Sequence, residues 1–255
     1  MADTLSPQAI LDYTADKGAA KAAAAWHTLA FLGFLGGAFI SVGYLAYLRI
    51  AASFSPELLG LGKFIGAAVF PVGLICILVG GGELITGNMM VLPVAWLKRR
   101  VNLQGWLRNW SIVTVFNVLG AFFVAWFFGH VVGLTEGHYH ELTLAVARAK
   151  VEDSFLQAVV SGIGCNWLVC MGVWLCYASS SAAGKMLGIW FPVMTFVAIG
   201  FQHVVANMFV IPAAIWGGGD ISWAQFAHNM VSVYLGNVLG GAGMVGMLYG
   251  LAYRA

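Results

Sequence analysis

One polar-marked pattern occurs twice inside apolar surroundings. The stretch Gly82-Glu83-Leu84-Ile85-Thr86-Gly87-Asn88-Met89-Met90-Val91-Leu92-Pro93 is echoed by Phe201-Gln202-His203-Val204-Val205-Ala206-Asn207-Met208-Phe209-Val210-Ile211-Pro212. Superposing them puts Glu83 on Gln202, Asn88 on Asn207, Met89 on Met208, Val91 on Val210 and Pro93 on Pro212, an offset of 119 residues (207 − 88). The echo continues. Val101 to Asn109 recurs as Ile221 to Asn229, and Phe116-Asn117-Val118-Leu119-Gly120 recurs as Gly236-Asn237-Val238-Leu239-Gly240, offset 120 (237 − 117). The chain is therefore two copies of one unit, each with polar residues where an apolar run should be unbroken.

Those runs lie in a membrane. The chain is 61% hydrophobic and 9% charged, against about 25% charged in soluble domains. Its 33 Gly and 10 Trp suit close helix packing and membrane interfaces. A net charge of +2 without a long basic cluster gives no sign of a nucleic-acid partner, and none is expected. Cys76, Cys165, Cys170 and Cys176 all fall in apolar runs without metal-ligand spacing to His, so we expect buried thiols and neither a disulfide framework, a metal nor a cofactor. Asp3, Asp12 and Asp16 stand where a signal peptide would be basic.

In chain order, residues 7–25 predict an amphipathic surface helix, with Ser6 as N-cap and Pro7 at its first position. We place it in an N-terminal segment, 1–27, ahead of a six-helix channel domain, 28–255, with repeats at about 28–132 and 155–251. Apolar runs long enough to span cover 28–50, 62 onward, 107–132, 155–178, 186 onward and 223–251. Gly33 and Gly37 make a GxxxG packing face, with subunit contact one use of it. The second run meets Gly80-Gly81-Gly82, where a helix should break and resume from about Asn88 to Trp96. The fifth is interrupted around Gly200 to Val205. Residues 133–154 read as a polar loop.

Two halves of three spans each enter the membrane from opposite sides, because three is odd. The expected fold is all-α, six transmembrane helices in an inverted 3+3 repeat with helices 2 and 5 broken, and a substrate site between the breaks. With Lys17, Lys21, Lys98, Arg99, Arg100, Arg108, Lys185 and Arg254 on one side against Arg49, Lys63, Arg148 and Lys150 on the other, both termini are expected in the cytoplasm, in a plasma (inner) membrane.

Each resumed half-helix presents backbone N–H groups and the positive end of its dipole, which favours an anion. Thr86 adds a hydroxyl to the first break and His203 an imidazole to the second; Asn88 and Asn207 recur beside them. In a soluble protein a lone His is commonly a satisfied core residue. His203 is the one His at membrane depth here, and there the functional explanation leads. Lys150 either draws an anion toward the fourth span or belongs to a solvated cluster with Glu152 and Asp153. Glu83 is expected to be structural. Asn117 and Asn237 are expected to bond the broken backbone, with site lining second. Phe70, Leu74 and Phe196 precede the breaks by one or more turns.

The paired breaks resemble the formate/nitrite transporter family, most specifically in His203-Val204-Val205-Ala206-Asn207-Met208-Phe209, over nearly the whole chain and including Lys150 and Asn166. The resemblance implies an aquaporin-like protomer, a homopentamer with one pore per protomer in membrane lipid, and passage of small monovalent anions of weak acids such as formate or nitrite. It also implies that Thr86 faces His203, that Phe70, Leu74, Phe196, Leu84 and Ile85 form two apolar constrictions, and that Lys150 lies in a vestibule. This chain departs from the family in having Gln202 where Glu is usual and Phe116 before Asn117 where Gly is frequent. An anion drawn in by Lys150 would meet the apolar constrictions, where a bare charge is costly, and cross after protonation by His203 or vestibule water. Two other functions fit less of the pattern. One is a neutral-solute channel of the ammonia kind. The other is a haem-bearing membrane anchor, which needs two facing His at depth. No nucleophile–base pair supports an enzyme.

Overall fold

Ser6 begins the described chain's first helix as expected. In this computed structural model, which describes residues 4–253, Ser6 Oγ accepts from Ala9 N at 3.3 Å and Pro7 opens helix α1 (Pro7–Ala23). Asp3 and Arg254, used above, lie outside the described residues. Ile10, Leu11, Thr14, Ala15 and Gly18 are the buried face of α1, spaced for one side of a helix. That face packs on the second half-helix of the first repeat: a Cβ on Gly18 would stand 2.7 Å from Val91 O.

Six helical stretches are long and apolar enough to span a bilayer: Trp26–Ala51 (α2), Pro56–Gly81 (containing α3, Leu59–Val69, and α4, Val72–Ile75), Leu103–Val131 (beginning with α6, Leu103–Phe123), Phe155–Ala178 (α8), Ala182–Ile199 (α9) and Trp223–Ala252 (containing α11, Trp223–Val238, and α12, Leu248–Ala252). Two short helices, α5 (Ile85–Leu97) and α10 (Val204–Trp216), follow the second and fifth of them. In α5 every residue from Ile85 to Ala95 is buried, and in α10 every residue from Val204 to Ala214. A helix apolar on all sides belongs at the centre of a bundle. Here the repeated sequence motif is the molecular core, wrapped by the spans.

The first interruption differs in register from the expectation. The span widens into a π-helical turn at Cys76–Gly81, Gly81 takes φ +115°, Gly82 to Leu84 are non-helical, and α5 starts at Ile85, three residues before Asn88. At the second, Gly200 closes α9 in the left-handed conformation (φ +89°), and Phe201 to His203 are non-helical, with His203 extended, before α10. A side chain at Gly200 would be strained there. α9 also starts four residues earlier than Met186.

The polar loop expected at 133–154 is corrected to a loop followed by helix α7 (His140–Glu152). Charged residues mask its apolar face: Thr143 and Ala147 are buried, and Leu142, Leu144 and Val146 pack against the core. The Gly33/Gly37 face is used inside the protomer, against α6. A Cβ on Gly37 would come within 2.1 Å of Asn117 O, so the two backbones touch only because Gly has none.

Candidate functional site

The N-termini of α5 and α10 meet head to head. Thr86, the second residue of α5, and His203, the N-cap of α10, are both buried, with Thr86 Oγ1 and His203 Nε2 3.0 Å apart. The other ring nitrogen fixes the direction of this bond. Ala206 N donates to His203 Nδ1 at 3.1 Å, and a backbone N–H can only donate. The neutral ring therefore carries its proton on Nε2 and donates to Thr86 Oγ1, leaving the threonine hydroxyl proton for a further acceptor. The result is a one-way donor chain: helix N–H to imidazole, imidazole to hydroxyl, hydroxyl outward.

Apolar side chains pack around this point. Phe196 stacks on the His203 ring (centroids 5.8 Å, 17°) and meets Phe70 edge-on at 5.7 Å. Phe70, Leu74, Phe196, Leu84 and Ile85 are all buried in one apolar cluster. Two cavities approach this region. One, of about 180 Å³, is lined by residues including Tyr44, Phe70, Lys150, Phe196, His203 and Asn207. The other, of about 640 Å³, is lined by residues including Lys17, Lys21, Glu83, Gly82 and Lys185.

Asparagines hold the half-helices in place. Asn117 Oδ1 accepts from Ile85 N at 2.9 Å, and its Nδ2 donates to Gly33 O (2.7 Å) and Glu83 O (2.9 Å). Asn237 repeats this with Val204 N (2.9 Å), Gly162 O (2.9 Å) and Gln202 O (3.1 Å). Each caps a helix start buried where water cannot. Asn166 Nδ2 ties Thr86 O (3.1 Å) to Asn237 O (2.6 Å).

A second pair of polar knots sits at the cavity mouths. On one side Glu83 accepts from Lys21 Nζ (2.6 Å) and Asn88 Nδ2 (2.7 Å); Asn88 also donates to Asn109 Oδ1 (2.9 Å), and Asn109 to Lys21 O (3.1 Å). On the other, Gln202 Oε1 accepts from Asn207 (2.7 Å) and Asn229 (2.9 Å), Asn207 donates to Asn229 Oδ1 (2.9 Å), and Asn229 to Lys150 O (2.6 Å). Lys21 and Lys150 thus hold equivalent places, 129 residues apart (150 − 21), as do Gly33 and Gly162 (162 − 33).

The family model described as Formate/nitrite transporter matches residues 8–251. The chain belongs to the formate/nitrite transporter family. It is 47% identical to the "Formate channel BtFdhC" of Bacillus thuringiensis over 97% of this chain and 95% of that one, and 53% identical to the "Uncharacterized transporter YrhG" of Bacillus subtilis over 97% and 93%. Among solved structures it superposes on an "FNT family ion channel" with TM-score 0.87 at 25% identity, covering 95% of this chain and 98% of that one. For a "Pentameric formate channel with formate bound" the TM-score is 0.79 at 28% identity, covering 90% and 98%. It is a multi-pass membrane transport protein of this family, and not an enzyme.

Of the expected site residues of this family member, Thr86 and His203 are in contact, and Phe70, Leu74, Phe196, Leu84 and Ile85 share one apolar cluster. Lys150 and Asn207 line the smaller cavity. Asn166 and Asn237 direct their amide N–H groups at backbone carbonyls, and Asn88 directs its own at the Glu83 and Asn109 side chains. Lys21, Asn109, Asn229, Asp153 and Tyr44 went unnoticed as site residues. Extending the repeat N-terminally with a shift to 129 brings out Lys21. Asn109 and Asn229 already stood in register. Tyr44, edge-on to Phe70 at 5.6 Å, has no sequence signal beyond its span.

Proposed function

We propose that the chain forms a homopentameric channel, in the inner membrane, for small monovalent anions of weak acids, formate foremost and nitrite by the same chemistry, and that each crosses as its protonated acid. The observation that carries this is the donor chain ending at the Thr86 hydroxyl, packed among apolar side chains with two cavities approaching. The names of BtFdhC and of the formate-bound pentamer support the substrate and the assembly.

The mechanism follows from charge. A lysine at each mouth and the facing helix N-termini raise the local anion concentration. Phe70, Leu74 and Phe196 on one side, and Leu84 and Ile85 on the other, offer a bare anion no partners, so it does not pass as such. At the junction a carboxyl oxygen of the protonated acid accepts from the Thr86 hydroxyl. The proton that neutralises the anion comes from vestibule water: formate plus a proton gives formic acid, which crosses the apolar residues and releases the proton beyond them. His203 does not supply it. Its Nδ1 is occupied by Ala206 N–H, and giving up the Nε2 proton would leave an imidazolate. The ring instead polarises the hydroxyl.

Formate uptake into proteoliposomes tests this. His203→Phe keeps a ring against Phe196 but removes both nitrogens, and formate flux should fall about tenfold, because the Thr86 hydroxyl loses the donor that polarises it and Ala206 N–H loses its acceptor. Unchanged flux rules the donor chain out. Competition by nitrite but not by ammonium separates this function from a neutral-solute channel, and a haem-free spectrum separates it from a redox anchor.

A further inference from the structure

The two mouths of the channel are built alike except at one side chain, and that difference relocates a charge. At the Lys21 mouth a carboxylate touches the ammonium: Glu83 Oε1 lies 2.6 Å from Lys21 Nζ. At the Lys150 mouth the equivalent position is Gln202. Its Oε1 is taken by Asn207 and Asn229, as Asn88 takes an oxygen of Glu83, and its Nε2 donates to Lys150 O (3.2 Å) and Asp153 Oδ2 (2.6 Å). The amide thus engages the Asp153 carboxylate and ties it to the Lys150 carbonyl, while the ammonium turns to other acceptors. Among the described residues no ion pair forms to Lys150; its Nζ donates to Gly200 O (2.9 Å) and Phe201 O (3.4 Å). An ammonium has three donors. Two are spent on carbonyls, and the side chain lines the narrow cavity that reaches His203.

We propose that Gln202 is a spacer holding the Asp153 carboxylate off Lys150, so that the Lys150 mouth is a saturable site for one small oxyanion and the Lys21 mouth is not. This rests on the function proposed above and adds sidedness to it. Lys17 and Lys185 also line the wide mouth, where they raise local anion concentration without forming a seat, because Lys21, the cation at the break, already has the Glu83 carboxylate. In the narrow mouth the arriving oxyanion takes the place that Glu83 occupies on the other side. Burial lowers the Lys150 ammonium below the ordinary lysine value, against the opposing effect of Asp153, and a bound anion restores it.

The test moves one carboxylate without changing net charge. In the double variant Gln202→Glu with Asp153→Asn, the new carboxylate keeps its donors from Asn207 and Asn229, the new amide at 153 can donate to it, and Lys150 gains a direct partner. Formate flux is measured in right-side-out and everted vesicles. The half-saturating concentration should rise about tenfold in one vesicle orientation, the worth of one charge-assisted hydrogen bond withdrawn from the anion. The other orientation should not shift, and maximal flux should change less than half-saturation in both. No shift, an equal shift in both orientations, or a fall in maximal flux alone overturns the spacer role. If the double variant does not reach the membrane, Asp153→Asn alone decides: half-saturation should drop about threefold in the same single orientation, and no change refutes the proposal. If the unaltered protein carries no formate, the proposed function fails rather than the sidedness.

Discussion

Replacing Thr86 with Val tests the donor chain with little change of shape. The valine methyl fits where the hydroxyl was, in a site that is fully buried. Two things are lost. His203 Nε2–H, 3.0 Å from the hydroxyl, keeps its proton but has no acceptor, and a buried unpaired donor costs about 1–3 kcal/mol. The acid at the junction loses the hydroxyl, a neutral hydrogen bond of about 0.5–1.5 kcal/mol, which is roughly a two- to tenfold slower crossing. Stopped-flow formate flux in proteoliposomes should show that reduction, and the detergent-solubilised protein should unfold at lower temperature. Thr86→Ser keeps the oxygen and proton and should restore most of the flux. Flux in Thr86→Val within twofold of the unaltered protein would refute the reasoning, because the hydroxyl would then be a packing group.

Asn117→Leu leaves Ile85 N–H, Gly33 O and Glu83 O without partners and should destabilise the fold by about 3 kcal/mol or more, read as a lower aggregation temperature. Lys21→Met leaves the Glu83 carboxylate buried without its cation and should cost about 3 kcal/mol, with Lys21→Met plus Glu83→Gln recovering much of it in the same assay. Gly37→Val should prevent recovery of folded protein, since its Cβ would lie 2.1 Å from Asn117 O. Asp12 is held below its ordinary 3.8 by the hydrogen bond from Lys98. Its contribution to docking α1 is present above that value and lost as pH falls through the lowered one, so proteolysis within residues 7–23 should accelerate only in acid below about 3.8.

Much of this fold shows in the sequence because a bilayer leaves few solutions. Six long apolar runs must be helices, and the recurrence of Asn88 and Pro93 as Asn207 and Pro212 announced that the two breaks are counterparts. What sequence hid has physical causes. The sequence of α7 reads as a loop because Glu141, Arg148, Lys150 and Glu152 are interspersed among the few apolar residues that meet the core. The start of α5 was placed three residues late because Asn117, distant in sequence, caps Ile85 and allows the helix to begin there. The Lys21 knot escaped because the N-terminal part of the repeat is in register at 129 residues rather than at 119. Residue types at the junction were legible, but the direction of the His203–Thr86 bond was not, because it depends on the backbone N–H of Ala206.

The central claim is that the anion crosses as a neutral acid. The most direct measurement follows internal pH and formate together in proteoliposomes clamped at several membrane potentials. The account predicts one proton carried with each formate and a flux that does not respond to potential. A formate current that tracks the potential, without an accompanying proton, would contradict it.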